Sequence, residues 1–125
     1  MKVLLVDDSR TMRNIWKKVV GTLKGVEIAE AGDGQEGLTA VKEQGPFDLI
    51  LLDWNMPNMD GLTMLTKVRE IDKDGAVIMV TTEAEKPRII EAIKAGANNY
   101  VVKPFTPDTL LSKIDETLKK LAPSA

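Results

Sequence analysis

The sequence predicts an α/β protein of the (βα)5 type, a doubly wound parallel sheet with helices on both faces. Three short apolar runs, at residues 3–6, 48–53 and 76–80, are bounded by turn residues or carboxylates. Such runs are typical of strands that are buried on both faces, as in parallel sheets. Segments with helical periodicity separate the runs through short connections, which favours alternating strands and helices over a purely β or purely α fold.

Residues 3–6 form the first predicted strand, and Ser9 is placed to cap the helix that follows it. This helix is expected to end at Lys24-Gly25, where a cation is followed by a glycine. Its apolar stripe is expected to consist of Met12, Ile15, Trp16, Val19, Val20 and Leu23.

Residues 26–30 alternate between apolar and charged side chains, which predicts an edge strand with one wet face. Asp33 and Glu36 then have capping-box spacing for a second helix, which is expected to stop at Gly45-Pro46. Leu38 and Val41 are expected to point inward from it.

The apolar segment 48–53 is the central strand, and a third helix begins at Asp60-Gly61. Its inner side is expected to consist of Leu62, Leu65 and Val68. Residues 76–80 form the fourth strand, which ends at Thr81-Thr82.

Pro87 suits the first turn of a fourth helix, which is expected to end at Gly96. Its inner face is expected to consist of Ile89, Ile90 and Ile93. A short strand at 100–102 follows, and Thr106-Pro107-Asp108 caps a fifth helix. The inward residues of the fifth helix are expected to be Leu110, Leu111, Ile114, Leu118 and Leu121, with a tail from Pro123 onward.

The predicted strand order is 2-1-3-4-5, within one domain that spans residues 1–125. Strands 1, 3 and 4 are uniformly apolar and belong inside the sheet, whereas strand 2 alternates and strand 5 is short. Right-handed crossovers then give this order, which reverses between strands 1 and 3. Ligands of open α/β sheets bind at such a reversal, outside the carboxyl ends of the strands.

The composition excludes several classes of function. The net charge is −2 and no basic block occurs, so nucleic-acid binding is not expected. No apolar window approaches the length of a membrane span, so no association with a membrane is expected. The chain contains no cysteine, which excludes disulfides and thiol catalysis and suits the cytoplasm. It also contains no histidine, so Ser-His-Asp hydrolysis is excluded and a zinc site is not expected.

Three carboxylates are expected to converge at the strand reversal: Asp7 and Asp8 after strand 1, and Asp53 at the end of strand 3. Two like charges about 5 Å apart at an effective dielectric near 20 cost about 3 kcal/mol. Such a cluster either takes up protons or binds a cation. Because all the donors are oxygens, the cation should be hard, and Mg²⁺ fits better than Ca²⁺.

Thr81 and Lys103 leave strands 4 and 5 at the same edge. A hydroxyl and an ammonium beside Mg²⁺ suit a dianion such as a phosphoryl group. In the absence of histidine, cysteine and a P-loop, the nucleophile would be a carboxylate, and Asp53 on the central strand is the best placed.

These residues resemble those of response-regulator receiver domains, over essentially the whole chain. The matching positions are Asp7-Asp8, Asp53, Thr81, Lys103-Pro104 and the segment Met56-Pro57-Asn58-Met59-Asp60-Gly61. Two longer segments, 53–61 and 100–105, look especially like those of CheY-like chemotaxis regulators.

The resemblance implies that Asp53 is the phosphoacceptor. Asp8, Asp53 and the backbone carbonyl of Asn55 would bind Mg²⁺, and Asp7 would act through a metal-bound water. Lys103 would pair with the phosphoryl oxygens.

Further roles follow from the same resemblance. Thr81 would move to hydrogen-bond the phosphoryl group, and Tyr100 would turn inward as the second part of the switch. Asn55 and Glu83 would tune hydrolysis of the acyl phosphate, and Lys103-Pro104 would be a cis peptide.

The resemblance implies a stand-alone two-component regulator that catalyses only its own phosphorylation and dephosphorylation. Its partners would be a CheA-like histidine kinase, the flagellar motor switch protein or another phospho-dependent target, and a phosphatase, and the chain would be a monomer. The partner surface would include Lys86, Ile89, Tyr100 and Lys113, although Ile89 is as well explained by core packing.

One alternative stays open from the sequence, and two others fit it poorly. A phosphorelay intermediate would pass its phosphoryl group to a histidine phosphotransfer protein. A haloacid-dehalogenase-type phosphatase would require a second aspartate two residues after the nucleophile, where this chain has Asn55. The segment 32–37 matches the dinucleotide motif G-x-G-x-x-G, but it follows the edge strand and carries two acids that would repel a pyrophosphate.

Overall fold

The computed structural model describes residues 1–56, 59–82 and 85–121. Within them the chain alternates strictly between strand and helix. The strands are β1 (Lys2–Val6), β2 (Glu27–Ala31), β3 (Leu49–Asp53), β4 (Ala76–Thr81) and β5 (Asn99–Val102). The helices are α1 (Arg10–Val20), α2 (Gly34–Gln44), α3 (Gly61–Ile71), α4 (Lys86–Ala95) and α5 (Pro107–Leu121).

The five strands form one parallel sheet in the order β2-β1-β3-β4-β5. This confirms the (βα)5 fold class and the predicted strand order. The uniformly apolar strands β1, β3 and β4 occupy the middle, and every residue of β3 and β4 is buried. The alternating strand β2 lies at an edge, where its charged residues reach water.

Side-chain alternation along the strands divides the core into two layers. Val3, Leu5 and Leu51 pack with α1 and α5 on one face, where Trp16 and Ile114 are buried. The opposite face is covered by α2, α3 and α4, and its buried residues include Leu4, Val6, Ile50, Leu52, Met64, Leu65 and Ala92. The sheet is therefore covered on both sides, as a parallel sheet requires.

The predicted starts of α1, α2, α3 and α5 are confirmed by their caps. The side-chain oxygens of Ser9, Asp33 and Asp60 each accept a hydrogen bond from the backbone N–H three residues later, at 3.2, 2.8 and 2.8 Å. Thr106 does the same for α5, at 3.1 Å. Each cap is worth about 1 kcal/mol.

The predicted end of α1 at Lys24-Gly25 is wrong, because the helix stops at Val20. The Gly21 N–H caps the helix by donating to Lys17 O at 2.8 Å, and the Thr22 hydroxyl donates to Val19 O at 2.7 Å. These bonds close the last turn four residues early. Gly25 instead serves the turn before β2, where its φ of 69° is in the left-handed region.

Some of the predicted inward residues are exposed. Ile15, Ile90, Ile93 and Leu121 are 43%, 44%, 47% and 46% exposed. In α4 the buried residue is Ala92. Ile89, Ile90 and Ile93 point in too many directions around the helix to define its inner side. The residue that packs against the sheet is the smaller Ala92.

The glycines of segment 32–37 serve packing between α2 and its neighbours. A Cβ at Gly34 would lie 2.6 Å from the Met59 backbone oxygen, and one at Gly37 would lie 2.7 Å from Met64 Cε. The G-x-G-x-x-G match is thereby explained without a nucleotide. None of the helices in the described ranges has the length and apolarity needed to cross a bilayer.

Candidate functional site

The site lies at the carboxyl edge of the sheet, between the two strands where the order reverses. Val6 of β1 pairs with Leu52 of β3, so Asp7 and Asp53 occupy equivalent positions on neighbouring strands. Asp7 is fixed on its other side by its N–H, which donates to Ala31 O of β2 at 3.2 Å. The alternation that turns Leu5 and Leu51 toward α1 and α5 turns both carboxylates in the same direction.

The structure brings the three predicted acids together. Asp7, Asp8 and Asp53 each offer a carboxylate oxygen, and these oxygens lie within 4.8 Å of one another. Asp7 and Asp53 are only 1% and 4% exposed, whereas Asp8 is on the surface. The cluster is therefore open to water through Asp8.

Lys103, the residue after β5, joins this cluster. Its Nζ lies 3.3 Å from Asp7 Oδ2 and 3.2 Å from Asp53 Oδ1. The same Nζ lies 5.8 Å from the centroid of the buried Trp16 ring. The Lys103-Pro104 peptide is cis, as the resemblance implied. The Lys103 N–H donates to Thr81 O at 2.7 Å, which holds the lysine at the end of the sheet.

Burial raises the pKa of both inner carboxylates despite the lysine. The pKa of Asp7 rises to about 6, chiefly because its carboxyl is removed from water, and the Asp53 charge adds to the rise. The backbone N–H of Ser9 and the Lys103 ammonium oppose it. The pKa of Asp53 is also raised by burial, against the lowering effects of Lys103 and of the Asn55 backbone N–H. One ammonium therefore does not compensate two buried carboxylates.

A divalent cation would supply the missing positive charge. The three carboxylates offer hard oxygen donors, and an exposed side at Asp8 leaves room for the waters that Mg²⁺ retains. This donor set fits the Mg²⁺ that the sequence predicted at this edge of the sheet. The backbone carbonyl of Asn55 is the fourth predicted ligand. Asn55 follows Asp53 by two residues and is exposed to solvent.

The two predicted switch residues lie on the opposite face of the sheet from the acids. Thr81 ends β4 and is 2% exposed. Tyr100 pairs with Met79, two residues before Thr81, so alternation places Tyr100 and Thr81 on the α4 face. Tyr100 is half-buried against the core of that face.

The residues predicted as a partner surface lie on α4, β5 and α5. Lys86 is exposed at the first position of α4, and Ile89 is half-buried. Lys113 places its Nζ 5.0 Å from the Tyr100 ring centroid. Glu83, predicted to tune hydrolysis, lies outside the described residues, as do Pro57 and Asn58 of the motif and the tail from Pro123 onward.

Two contacts at the site were not predicted from the sequence. The Arg88 guanidinium of α4 lies 4.5 Å from the Trp54 ring, next to Asp53 in the chain. Arg13 of α1 donates from Nη1 to the backbone oxygen of Asp7 at 2.5 Å. The sequence feature that could have indicated the second contact is the position of Arg13, a cation one turn into the helix that follows the acid pair.

Comparison with known proteins places these residues in a family context. Residues 3–115 match the response regulator receiver domain family. A chemotaxis protein CheY homolog of Campylobacter jejuni is 45% identical over 120 residues, covering 94% of this chain and 92% of the relative. The chemotaxis protein CheY-3 of Vibrio cholerae is 44% identical over 123 residues, covering 97% and 94%.

Solved structures agree with this family. The chemotaxis protein CheY4 of Vibrio cholerae superimposes with a TM-score of 0.85 at 36% identity, covering 93% of this chain and 97% of that one. A CheX-CheY-BeF3-Mg complex of Borrelia burgdorferi gives a TM-score of 0.88 at 30% identity, covering 93% and 87%.

Proposed function

We propose that phosphorylation of Asp53 switches this chain, which belongs to the response regulator receiver domain family. The chain is a CheY-like response regulator in chemotaxis, as its curated relatives are. The observation that carries the proposal is the Lys103 Nζ, which lies between two buried carboxylates beside a third, exposed one.

Asp53 is the carboxylate that accepts the phosphoryl group. Its oxygen attacks the phosphorus of a phosphohistidine on a CheA-like kinase. The new O–P bond forms as the P–N bond breaks, and the electron pair of that bond stays on the imidazole, which takes up a proton. Asp53 is the better placed acid because it ends β3, which lies between β1, which leads into the acid pair, and β4, which ends at Thr81.

The remaining acids and Lys103 provide charge at this point. Asp8, Asp53 and the Asn55 carbonyl would hold Mg²⁺, and Asp7 would assist them through a water molecule. The ion supplies positive charge to the phosphoryl oxygens when it is bound. Lys103, which lies 3.2 Å from Asp53 Oδ1, contacts one phosphoryl oxygen in place of that carboxylate oxygen.

The switch acts through Thr81 and Tyr100. The Thr81 hydroxyl moves to donate to a phosphoryl oxygen. Tyr100, on the same face of the sheet, turns inward into the space that Thr81 vacates. These movements change the α4–β5–α5 surface, which includes Lys86, Ile89 and Lys113, and so change its affinity for a partner.

The partner we propose is the flagellar motor switch protein. The surface that would bind it carries the cations Lys86 and Lys113 around the apolar Ile89. The Borrelia relative has been crystallised in a complex with CheX, beryllofluoride and magnesium. We infer that this chain also binds a second protein when it is phosphorylated, and the phosphatase that the resemblance implies is the candidate.

The first experiment is incubation with Mg²⁺ and acetyl phosphate, followed by intact-mass measurement. We expect one added phosphoryl group in the wild type and in Asp115→Asn, an exposed acid on α5, and none in Asp53→Asn. An unmodified wild type would contradict the assignment.

A second experiment tests the output. Beryllofluoride with Mg²⁺ should strengthen binding of a motor-switch peptide, and Lys113→Ala should weaken it. If the phosphoryl group instead passes to a histidine phosphotransfer protein and the peptide does not bind, the chain is a phosphorelay intermediate. In a Trp16→Phe background, Trp54 fluorescence should change on addition of Mg²⁺, since Trp54 adjoins the site.

A further inference from the structure

Arg13 connects α1 to the backbone of the acid pair. Its side chain is 16% exposed, and its Nη1 donates to the Asp7 backbone oxygen. Its Nε donates to Glu30 Oε1 at 3.1 Å. One planar guanidinium therefore makes two bonds in fixed relative directions, which an ammonium does not reproduce.

The Asp7 oxygen belongs to the peptide that leads into Asp8. The rest of Asp7 is already held, since its Oδ1 accepts from the Ser9 N–H at 2.9 Å and its Oδ2 from Lys103. Asp8 is exposed, so the direction of its carboxylate depends on the backbone that carries it. A charge-assisted hydrogen bond from Arg13 to that peptide restricts its rotation.

Glu30 keeps the guanidinium in this place. Its carboxylate on β2 pairs with Arg13 and also with Lys17, whose Nζ lies 3.0 Å from Oε2. Hydrogen bonds from Lys17 and then Arg13 lower the pKa of Glu30. Lys17 and Arg13 therefore share one anion, but of these two only Arg13 reaches the Asp7 carbonyl.

We propose that Arg13 is a positioning residue for Mg²⁺. By holding the peptide between Asp7 and Asp8, it aims the exposed Asp8 carboxylate at the ion and so increases the affinity for Mg²⁺. The inference rests on the Mg²⁺ site of the proposed function and adds a residue that has no contact with the ion itself.

Electrostatics alone predicts the opposite sign. Arg13 is a cation beside a cation site, so neutralising it would strengthen Mg²⁺ binding if charge were its only contribution. Lys17→Gln is the matched control, because it removes one positive charge from the same helix and the same Glu30 but leaves the Asp7 carbonyl bond in place. The sign of the change thus separates positioning from charge.

The experiment follows backbone amide NMR shifts during a titration with MgCl₂ at pH 8. We expect Lys17→Gln to bind Mg²⁺ as tightly as the wild type or more tightly. We expect Arg13→Gln to bind about tenfold more weakly, the usual effect of losing a partner that orients a metal ligand. Arg13→Lys, which keeps the charge but not the two-directional contact, should also bind more weakly.

A measurement without metal tests the geometry separately. The carbonyl carbon of Asp7 and the amide nitrogen of Asp8 should shift in metal-free Arg13→Gln and remain near their wild-type values in Lys17→Gln. Urea unfolding verifies that both variants are folded. If Arg13→Gln binds Mg²⁺ as Lys17→Gln does, the inference is wrong while the proposed function stands. If the wild type itself shows no Mg²⁺-dependent shifts, both are wrong.

Discussion

Replacement of Asp7 by asparagine should stabilise the metal-free protein at neutral and alkaline pH. Asp7 is 1% exposed, and its pKa rises from 3.8 to about 6 on folding. The ionised carboxylate is therefore less stable in the folded chain than in the unfolded one. Asparagine has nearly the same shape, and its Oδ1 can still accept from the Ser9 N–H.

The size of the effect follows from the shift of about two units. Each unit corresponds to 1.36 kcal/mol, so ionised Asp7 costs the folded state roughly 3 kcal/mol. Lys103 loses one carboxylate partner in the variant but keeps Asp53. We therefore expect the free energy of unfolding to increase by about 1–3 kcal/mol at pH 8.

The dependence on pH has a definite sign. For an acid whose pKa is raised on folding, the folded state binds more protons than the unfolded state between the two pKa values. Wild-type stability contributed by Asp7 is thus lost as pH rises from about 4 to about 6. The gap between variant and wild type should be small near pH 4 and complete above pH 7.

Urea unfolding in EDTA, measured across this pH range, tests the reasoning. Asp115→Asn is the control, because Asp115 is 66% exposed on α5, and its stability should stay within about 0.5 kcal/mol of the wild type. The reasoning would be refuted by a variant that is no more stable than the wild type at pH 8, or by a gap that does not grow with pH.

Three further outcomes are expected. Affinity for Mg²⁺ should fall as pH is lowered through about 6, because Asp7 takes up a proton; titrations from pH 5 to pH 8 measure this. Gly61→Ala should lose about 2 kcal/mol or more in urea unfolding, because a Cβ there would lie 2.3 Å from the Asp53 backbone oxygen. Arg69→Met should lose about 2 kcal/mol in the same assay, because Arg69 donates from Nε and Nη2 to Gly96 O at 3.0 and 2.8 Å.

Each of these predictions has a control or an outcome that would contradict it. Mg²⁺ affinity that is constant between pH 5 and pH 8 would contradict the raised pKa. Gly32→Ala should cost less than Gly61→Ala, because its Cβ would meet only the movable ends of the Glu36 and Arg13 side chains. Lys67 is exposed, so Lys67→Met should leave the free energy of unfolding nearly unchanged. If Lys67→Met and Arg69→Met lose equal stability, the contact between Arg69 and Gly96 does not stabilise the fold.

The fold could be predicted largely because the residue pattern of each strand indicates how the strand is buried. The uniformly apolar residues of β3 and β4 predict central strands, and the alternating residues of β2 predict an edge strand. The carboxylates at the strand ends then placed the acid cluster, since topology alone brings them together. These are properties of composition along a strand, which a sequence shows directly.

Features that depend on competition between neighbours could not be predicted. Two glycines, Gly21 and Gly25, could each end α1, and only the bonds to Lys17 and Val19 decide between them. The inner side of α4 was misjudged because Ala92 is less conspicuous than three isoleucines. The contact of Arg13 with the Asp7 backbone carbonyl could not be predicted, because the periodicity of side chains does not show which backbone oxygen a side chain reaches.

The two faces of the sheet separate the proposed site of phosphorylation from the proposed partner surface. Asp7, Asp53 and Lys103 project beside α1, whereas Thr81 and Tyr100 project beside α4. Under the proposed function, changes on the exterior of α4 would therefore alter the target while leaving the proposed ion and phosphoryl site unchanged. Thr81 would be the constraint common to both, since in the proposed switch its hydroxyl serves every target.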